Sequence, residues 1–177
     1  MKQGGFKLSM EERFSGTVLR RKEEGFETRP TMGEIGLNHF APYLMNRLMA
    51  RWNANLADAL KPQDITTAKI RTLAVLSVVA SATINELSVF AVIEQSTMSR
   101  TLDALEEQGY IRRQPRAEDM RIRDVSITED GRAAFNQMWP TMYDQFLQLF
   151  DGVDEAEYRA FLTTLHKLLH NIRKNEI

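Results

Sequence analysis

YIRRQPRAEDMRIRDVSIT, residues 110–128, is the stretch on which the fold turns. YIRRQ (110–114) and RDVSIT (123–128) have the β-branched and aromatic content of short strands, and the polar, proline-containing loop PRAEDMR (115–121) lies between them. A β-hairpin is predicted here. Immediately before it, QSTMSRTLDALEEQG (95–109) has the spacing of a helix, with Met98, Leu102 and Leu105 as its buried stripe and Gly109 where a C-terminal cap belongs. TINE (83–86) matches a capping box, in which the threonine oxygen and the glutamate each satisfy a free helix amide, so a short helix starts there. A tight turn near Val92 to Glu94 joins the two. Two helices and a short turn make a helix-turn-helix, and a hairpin directly after it makes a winged helix.

Working outward, Leu37, Phe40, Leu44, Leu48, Trp52, Leu56 and Leu60 recur at helical spacing, predicting one long amphipathic helix that begins or kinks at Pro42 and ends at KPQDITT (61–67). Thr66 caps the next helix, through about Ser77, with Ile70, Leu73 and Leu76 buried. On the other side, Thr128 caps a helix from about Glu129 to Phe150 with a kink expected at Pro140. DGVDE (151–155) breaks it before a final helix over about 154–174. In that helix Tyr158, Leu162, Leu165, Leu169 and Ile172 alternate spacings of four and three, the pattern of a helix-helix seam. The fold class is therefore mainly α with a small β-hairpin: a winged helix-turn-helix lobe plus a helical dimerisation region. Residues 1–36, rich in glycine and mixed charge with a weak helical patch at Leu8 to Leu19, form an N-terminal arm. Residues 37–177 form a single domain, with dimerisation helices at 37–62 and 150–177, the winged lobe at 66–128 and a connecting helix at 129–150.

Composition narrows the function. The 177 residues are 43% hydrophobic, enough for a packed core. With 23 lysines and arginines against 24 acids, any nucleic-acid contact must come from local clustering. Such a cluster exists: residues 111–123 hold Arg112, Arg113, Arg116, Arg121 and Arg123 against Glu118 and Asp119, five positive charges less two negative, or +3. There is no cysteine, which excludes disulfides, thiolate metal sites and thiol-based redox sensing by the chain's own residues. No signal peptide is evident, and no apolar run reaches the roughly 20 residues that span a bilayer. A cytoplasmic protein with no membrane contact is expected.

The helix over 95–109 presents Gln95, Ser96, Thr97, Ser99 and Arg100 away from its apolar stripe. Small hydroxyls allow close approach to a duplex; hydroxyl and amide groups bond phosphates or base edges, and arginine grips guanine in the major groove. An arginine at a hairpin tip can enter a minor groove, while arginines at its base contact phosphates or neutralise acidic neighbours. Asp103, Glu106 and Glu107 act against the basic patch.

From Leu37 to the C-terminus the sequence resembles the multiple antibiotic resistance regulator (MarR) family of bacterial transcription factors. DMRIRDVSITEDG (119–131) fits the family's wing pattern D-x-R, then V-x-[LI]-T-x-x-G, through Asp119, Arg121, Val125, Ile127, Thr128 and Gly131. STMSRTLDALEEQGYIRR (96–113) is similar to its recognition helix and following strand. The resemblance implies a homodimer whose first and last helices pack across a two-fold axis, reading a palindromic operator in double-stranded DNA. It implies that Arg121 enters the minor groove and that Asp119 orients the wing through a salt bridge; the reading of the residues adds Arg116 and Arg123 to Gln95, Ser96, Thr97, Ser99 and Arg100 as DNA contacts. Ile122 stands where the family commonly has glycine. The resemblance also implies a repressor that responds to a small, often aromatic or anionic effector, with His39, Tyr43, Met49 and Trp52 as candidate lining, although Met49 and Trp52 read more readily as core or dimer interface.

Two other readings compete. A winged helix can serve protein contacts without specific DNA binding. An enzyme lacks support: there is no glycine-rich phosphate loop and no G-x-S-x-G elbow, and no cofactor is expected. His166 and His170, four apart in HKLLH, have a spacing that can hold a metal, but no third ligand or cysteine accompanies them, and histidines solvated at a helix C-terminus explain them better.

Overall fold

The computed structural model describes residues 19, 31–63, 65–116 and 119–172. The expected helical patch before Leu19, and most of the N-terminal arm, lie outside the described residues. The chain divides into two compact units, residues 1–54 and 55–177.

In the first unit, a helical turn unforeseen in the sequence, α1 (Met32–Ile35), carries its own capping box: Thr31 accepts from the Glu34 amide and Glu34 accepts from the Thr31 amide. The motif TMGE is the same S/T-x-x-E signal read at residues 83–86, here inside the predicted arm. A single 3-10 turn, Leu37–His39, leads into α2 (Ala41–Leu60). Pro42 is the second residue of α2, so the helix begins at the proline. A first-turn amide has no intrahelical acceptor, so proline loses nothing there.

In the second unit, α2 ends with Leu56 and Leu60 buried. Next comes α3 (Thr67–Val78), capped by Thr66, with Ile70, Leu73 and Leu76 fully buried as its spacing predicts. The capping box at Thr83 and Glu86 starts α4 (Ile84–Phe90), and α5 (Gln95–Glu107) follows with Met98, Leu102 and Leu105 in the core. At the end of α5, Gly109 takes φ 74°; its amide donates to Glu106 and the Tyr110 amide to Leu105, a complete Schellman cap.

The hairpin forms from β2 (Ile111–Pro115) and β3 (Arg123–Ile127), in register from Ile111 opposite Ile127 to Pro115 opposite Arg123. A third strand, β1 (Ala82–Thr83), pairs with the other edge of β3, Ala82 opposite Val125, giving the antiparallel order β1-β3-β2. This strand binds the start of α4 to the wing. Thr128 caps α6 (Glu129–Leu149) and also donates to the Gly109 carbonyl, while Pro140 lies within that helix. Reciprocal bonds between Asp154 and Glu157 start α7 (Glu155–Ile172). Aromatic rings run in contact from Phe135 through Trp139, Tyr143, Phe146 and Phe150, and Tyr158 of α7 meets Phe146 and Phe150 edge-on at 5.9 and 4.9 Å. Of the expected seam, Tyr158, Leu162 and Leu165 are half-buried, while Leu169 and Ile172 remain 59% and 73% exposed.

Candidate nucleic-acid interface

Burying Met98, Thr101, Leu102 and Leu105 turns the opposite face of α5 outward. Gln95, Ser96, Thr97 and Arg100 are exposed there and Ser99 is half-buried. Gln95 is held from behind: its amide Nε2 donates to Asn85 Oδ1 of α4 at 2.8 Å. The Ser96 hydroxyl donates to the Glu94 carboxylate. Asn85 lies inside TINE at a position the capping box leaves open, and nothing in the local spacing signals its bond to Gln95, ten residues away.

The wing tip is a hydrogen-bonded turn, Asp119 to Ile122, closed by the Ile122 amide donating to the Asp119 carbonyl at 2.9 Å. Asp119 Oδ1 also accepts from the Arg121 amide at 3.0 Å, and the Arg121 guanidinium lies against the same carboxylate at 3.1 and 3.2 Å. Both oxygens of one aspartate thus fix the turn and the arginine, which is 91% exposed. The ion pair implied by the family resemblance is present as geometry. Ile122 needs no glycine: Val92 is the only residue other than glycine with positive φ among the described residues.

Arg116 is engaged rather than free, its guanidinium bonded to Asp124 at 2.6 to 3.2 Å. Arg123 is exposed at the start of β3, and Arg112 donates to Ser126 on the neighbouring strand. Arg113, 18% exposed, lies against Asp103 and Glu106 of α5. Between α5, the start of α4 and the wing lies a cleft of about 580 Å³, lined by Asn85, Gln95, Arg113, Arg116, Arg121 and Arg123 among others. Its arginines share the cleft with the side-chain amides of Asn85 and Gln95 and with Thr83 and Glu86.

Three carboxylates around this cleft titrate below their ordinary range. Asp119 is lowered by the Arg121 guanidinium and then by the Arg121 amide. Asp124 is lowered by Arg116. Glu86 is lowered by its bonds to the Thr83 amide and hydroxyl, with a smaller push from Arg116.

The residues expected to line an effector pocket do not share one helix face. Tyr43 and Trp52, nine residues apart on α2, fall about 180° from one another at 100° per residue. Tyr43, Trp52 and His39 are half-buried, Met49 is exposed, and Arg47 stands 5.7 Å over the Tyr43 ring. His166 and His170 lie exposed in α7. No group of three or more His, Cys, Asp or Glu suited to a metal occurs among the described residues, and no helix there is long and apolar enough to cross a membrane.

The helix-turn-helix, the three-stranded sheet and the basic cleft between them define a winged helix-turn-helix protein. The chain belongs to the MarR family. A model of that family matches residues 63–122. A MarR-family transcriptional regulator of known structure from Silicibacter pomeroyi is 44% identical, with a TM-score of 0.79 over 84% of this chain and 100% of that one. The transcriptional repressor IacR of Pseudomonas putida is 27% identical across 81% of this chain and 86% of its own. A mutant of the Escherichia coli MarR protein, solved in complex with operator DNA, is 26% identical with a TM-score of 0.63, over 72% of this chain and 92% of that one.

Proposed function

We propose that this MarR-family protein is a sequence-specific DNA-binding transcriptional regulator that binds a palindromic operator as a homodimer and represses by occupying it. The cleft between α5 and the wing carries this reading. If the exposed face of α5 enters a major groove and the Asp119 to Ile122 turn the adjacent minor groove, the phosphate strand between the grooves runs past Arg116, Arg121 and Arg123, while Arg113 is held back by Asp103 and Glu106. Gln95, Ser96, Thr97, Ser99 and Arg100 then meet base edges and phosphates. Arg121 and Arg123 meet the minor groove and backbone, and Arg116 acts from its pair with Asp124. The operator-bound E. coli relative and the Pseudomonas repressor support this, and regulators rather than enzymes are what the chain resembles.

Exposed apolar side chains on α2 (Leu44, Met45, Leu48, Met49) and α7 (Leu168, Leu169, Ile172) support a dimer built on 37–62 and 150–177, with 66–128 as the DNA-reading lobe. The protein works in the cytoplasm, beside the chromosome. A small aromatic or anionic effector meets His39, Tyr43, Met49 or Trp52; because Tyr43 and Trp52 lie on opposite sides of α2, one ligand does not contact both from the same helix.

Binding isotherms at several salt concentrations, on genomic fragments that the wild-type protein retains, test the reading. Arg100→Ala should lose about 1–3 kcal/mol on the best site and flatten preference at one position per half-site. Arg121→Ala should weaken binding most where A·T tracts flank the site and reduce the salt slope, and Arg121→Lys should recover only part of this. Wild-type affinity and slope in both Arg121 variants would show that the hairpin is not a DNA wing.

A further inference from the structure

We infer that Arg113 is a positioning residue that locks the recognition helix α5 to the first wing strand and so fixes the spacing at which the two DNA-reading elements work together. This rests on the DNA-binding reading above and adds to it a residue that makes no DNA contact of its own.

Arg113 holds α5 in three ways. Its Nη2 donates to Asp103 Oδ1 at 2.6 Å, its backbone amide donates to Glu106 Oε1 at 3.2 Å, and its Nε stands 3.3 Å from Glu106 Oε2. Asp103 and Glu106 are three apart, hence neighbours on one face of α5. That Nε is buried and makes no aligned hydrogen bond, so the charge of Glu106 is its compensation. Moving α5 away from β2 would leave a largely buried guanidinium without it, which is costly.

Burial also decides what Arg113 does not do. Its side chain is 18% exposed, against 91% for Arg121, so a phosphate has little access to it. The acids it holds are the more exposed partners, at 64% and 44%. From Arg113 the strand runs to Pro115, and the Arg116 amide donates to the Ile122 carbonyl at 2.8 Å, reaching the turn that carries Arg121. A continuous bonded path therefore joins the middle of the recognition helix to the wing tip. Two grooves can be read together only if their readers keep one separation, and a misplacement of even about 1 Å weakens preorganised contacts.

The test compares wild type with Arg113→Lys, Arg113→Gln, Asp103→Asn/Glu106→Gln and the triple variant carrying Arg113→Gln with both neutralised acids. Each is titrated on a genomic fragment retained by wild type, with A·T-rich or G·C-rich flanks, at several salt concentrations, and melted in parallel. Arg113→Gln should bind at least tenfold more weakly, keep the wild-type salt slope because no phosphate contact is lost, and lose much of the preference for A·T flanks. Lysine keeps the charge without the two-pronged grip and should restore binding in part. The triple variant, which has no unpaired acid but also no lock, should stay weak and blind to the flanks. Should Arg113→Gln fail to fold, the Asp103→Asn/Glu106→Gln variant removes the same lock while keeping the arginine, and the same losses are expected of it. Wild-type affinity in both would overturn the positioning role. A salt slope lower by about one in Arg113→Gln would make it a phosphate contact, and full recovery in the triple variant would reduce it to a charge neutraliser. If the wild-type chain retained no DNA, the DNA-binding reading itself would fall, a result distinct from normal wild-type binding with an indifferent Arg113.

Discussion

Gly131 and Val92 show how a single backbone position constrains which residue can occupy it. A Cβ on Gly131 would lie 2.0 Å from the Tyr110 carbonyl oxygen and 2.8 Å from its carbon, both backbone atoms that cannot step aside. The first turn of α6 is pressed onto the end of the recognition helix, where the Thr128 amide donates to that same carbonyl at 3.0 Å. Gly131→Ala should therefore lose about 1–3 kcal/mol to overpacking, even after the gain of about 1 kcal/mol that alanine brings to a helix. Val92 presents the opposite case. It takes φ 53° at the Schellman position after α4, with Val92 and Ile93 amides donating to Val89 and Ser88, and its side chain is 80% exposed. A left-handed conformation costs a β-branched residue about 1–2 kcal/mol, while glycine gives back about 0.5–1 in backbone entropy. Val92→Gly should stabilise by up to about 1 kcal/mol, and urea midpoints at unchanged slope would register both shifts; a neutral Gly131→Ala or a weakened Val92→Gly would contradict the account. Gly131 was legible only through the wing motif, since the contact that demands it comes from Tyr110. Nothing in FAVIEQ (90–95) marks Val92 as left-handed.

At the level of elements, what the sequence revealed was local. Both capping positions around α4 and α6, the apolar stripe of α5 and the Gly109 stop each depend on neighbours within about one helical turn, so spacing alone exposes them. The strand β1 was not legible: two residues carry no alternation, and they become a strand only by meeting Val125 and Asp124. The arginine pairs were half-legible. Charge clustering marked the hairpin, but which arginine faces outward depends on acids brought in by the fold, Asp124 for Arg116 and Asp103 with Glu106 for Arg113. The three carboxylates held low around the cleft make a prediction about pH. Asp119, Asp124 and Glu86 all titrate below their usual range, so their contribution is complete above the unfolded value of about 4 and is lost as pH falls through the lower folded values. Amide protection at Arg121 and Ile122, corrected for intrinsic exchange, should stay flat from pH 8 to about 5 and decline below about 4. Asp119→Asn should lower that protection already at neutral pH and flatten its acid limb. Loss of protection between pH 8 and 6 would place control of the wing with another group.

Across the whole molecule, the division between the two compact units falls within α2, at residues 54 and 55. A continuous helix shows no break in its apolar spacing, so that boundary had no sequence signal. The seam on α7 did: the alternation of four and three marked Leu169 and Ile172 for burial, yet both are mostly exposed in the single chain. Leu44, Met45, Leu48 and Met49 of α2 are likewise exposed at 38–47%. Apolar surface of this extent on successive helix turns is seldom left to water, and a two-fold dimer buries the same patch twice. Leu169→Glu with Ile172→Glu changes side chains that bury little within one chain, so the melting of the winged lobe should be retained. The charges would be trapped in any α7-mediated contact, where an unpaired carboxylate costs several kcal/mol. On the proposed dimer, the double variant is expected to sediment as a monomer at concentrations where wild type sediments as a dimer. Each lobe would then bind its half-site alone, and the advantage of linking two sites, on the order of a hundredfold or more, would disappear. Affinity for an isolated half-site should be unchanged. A double variant that sediments as a dimer and binds the full operator like wild type would remove α7 from the interface and leave the dimer to α2 alone.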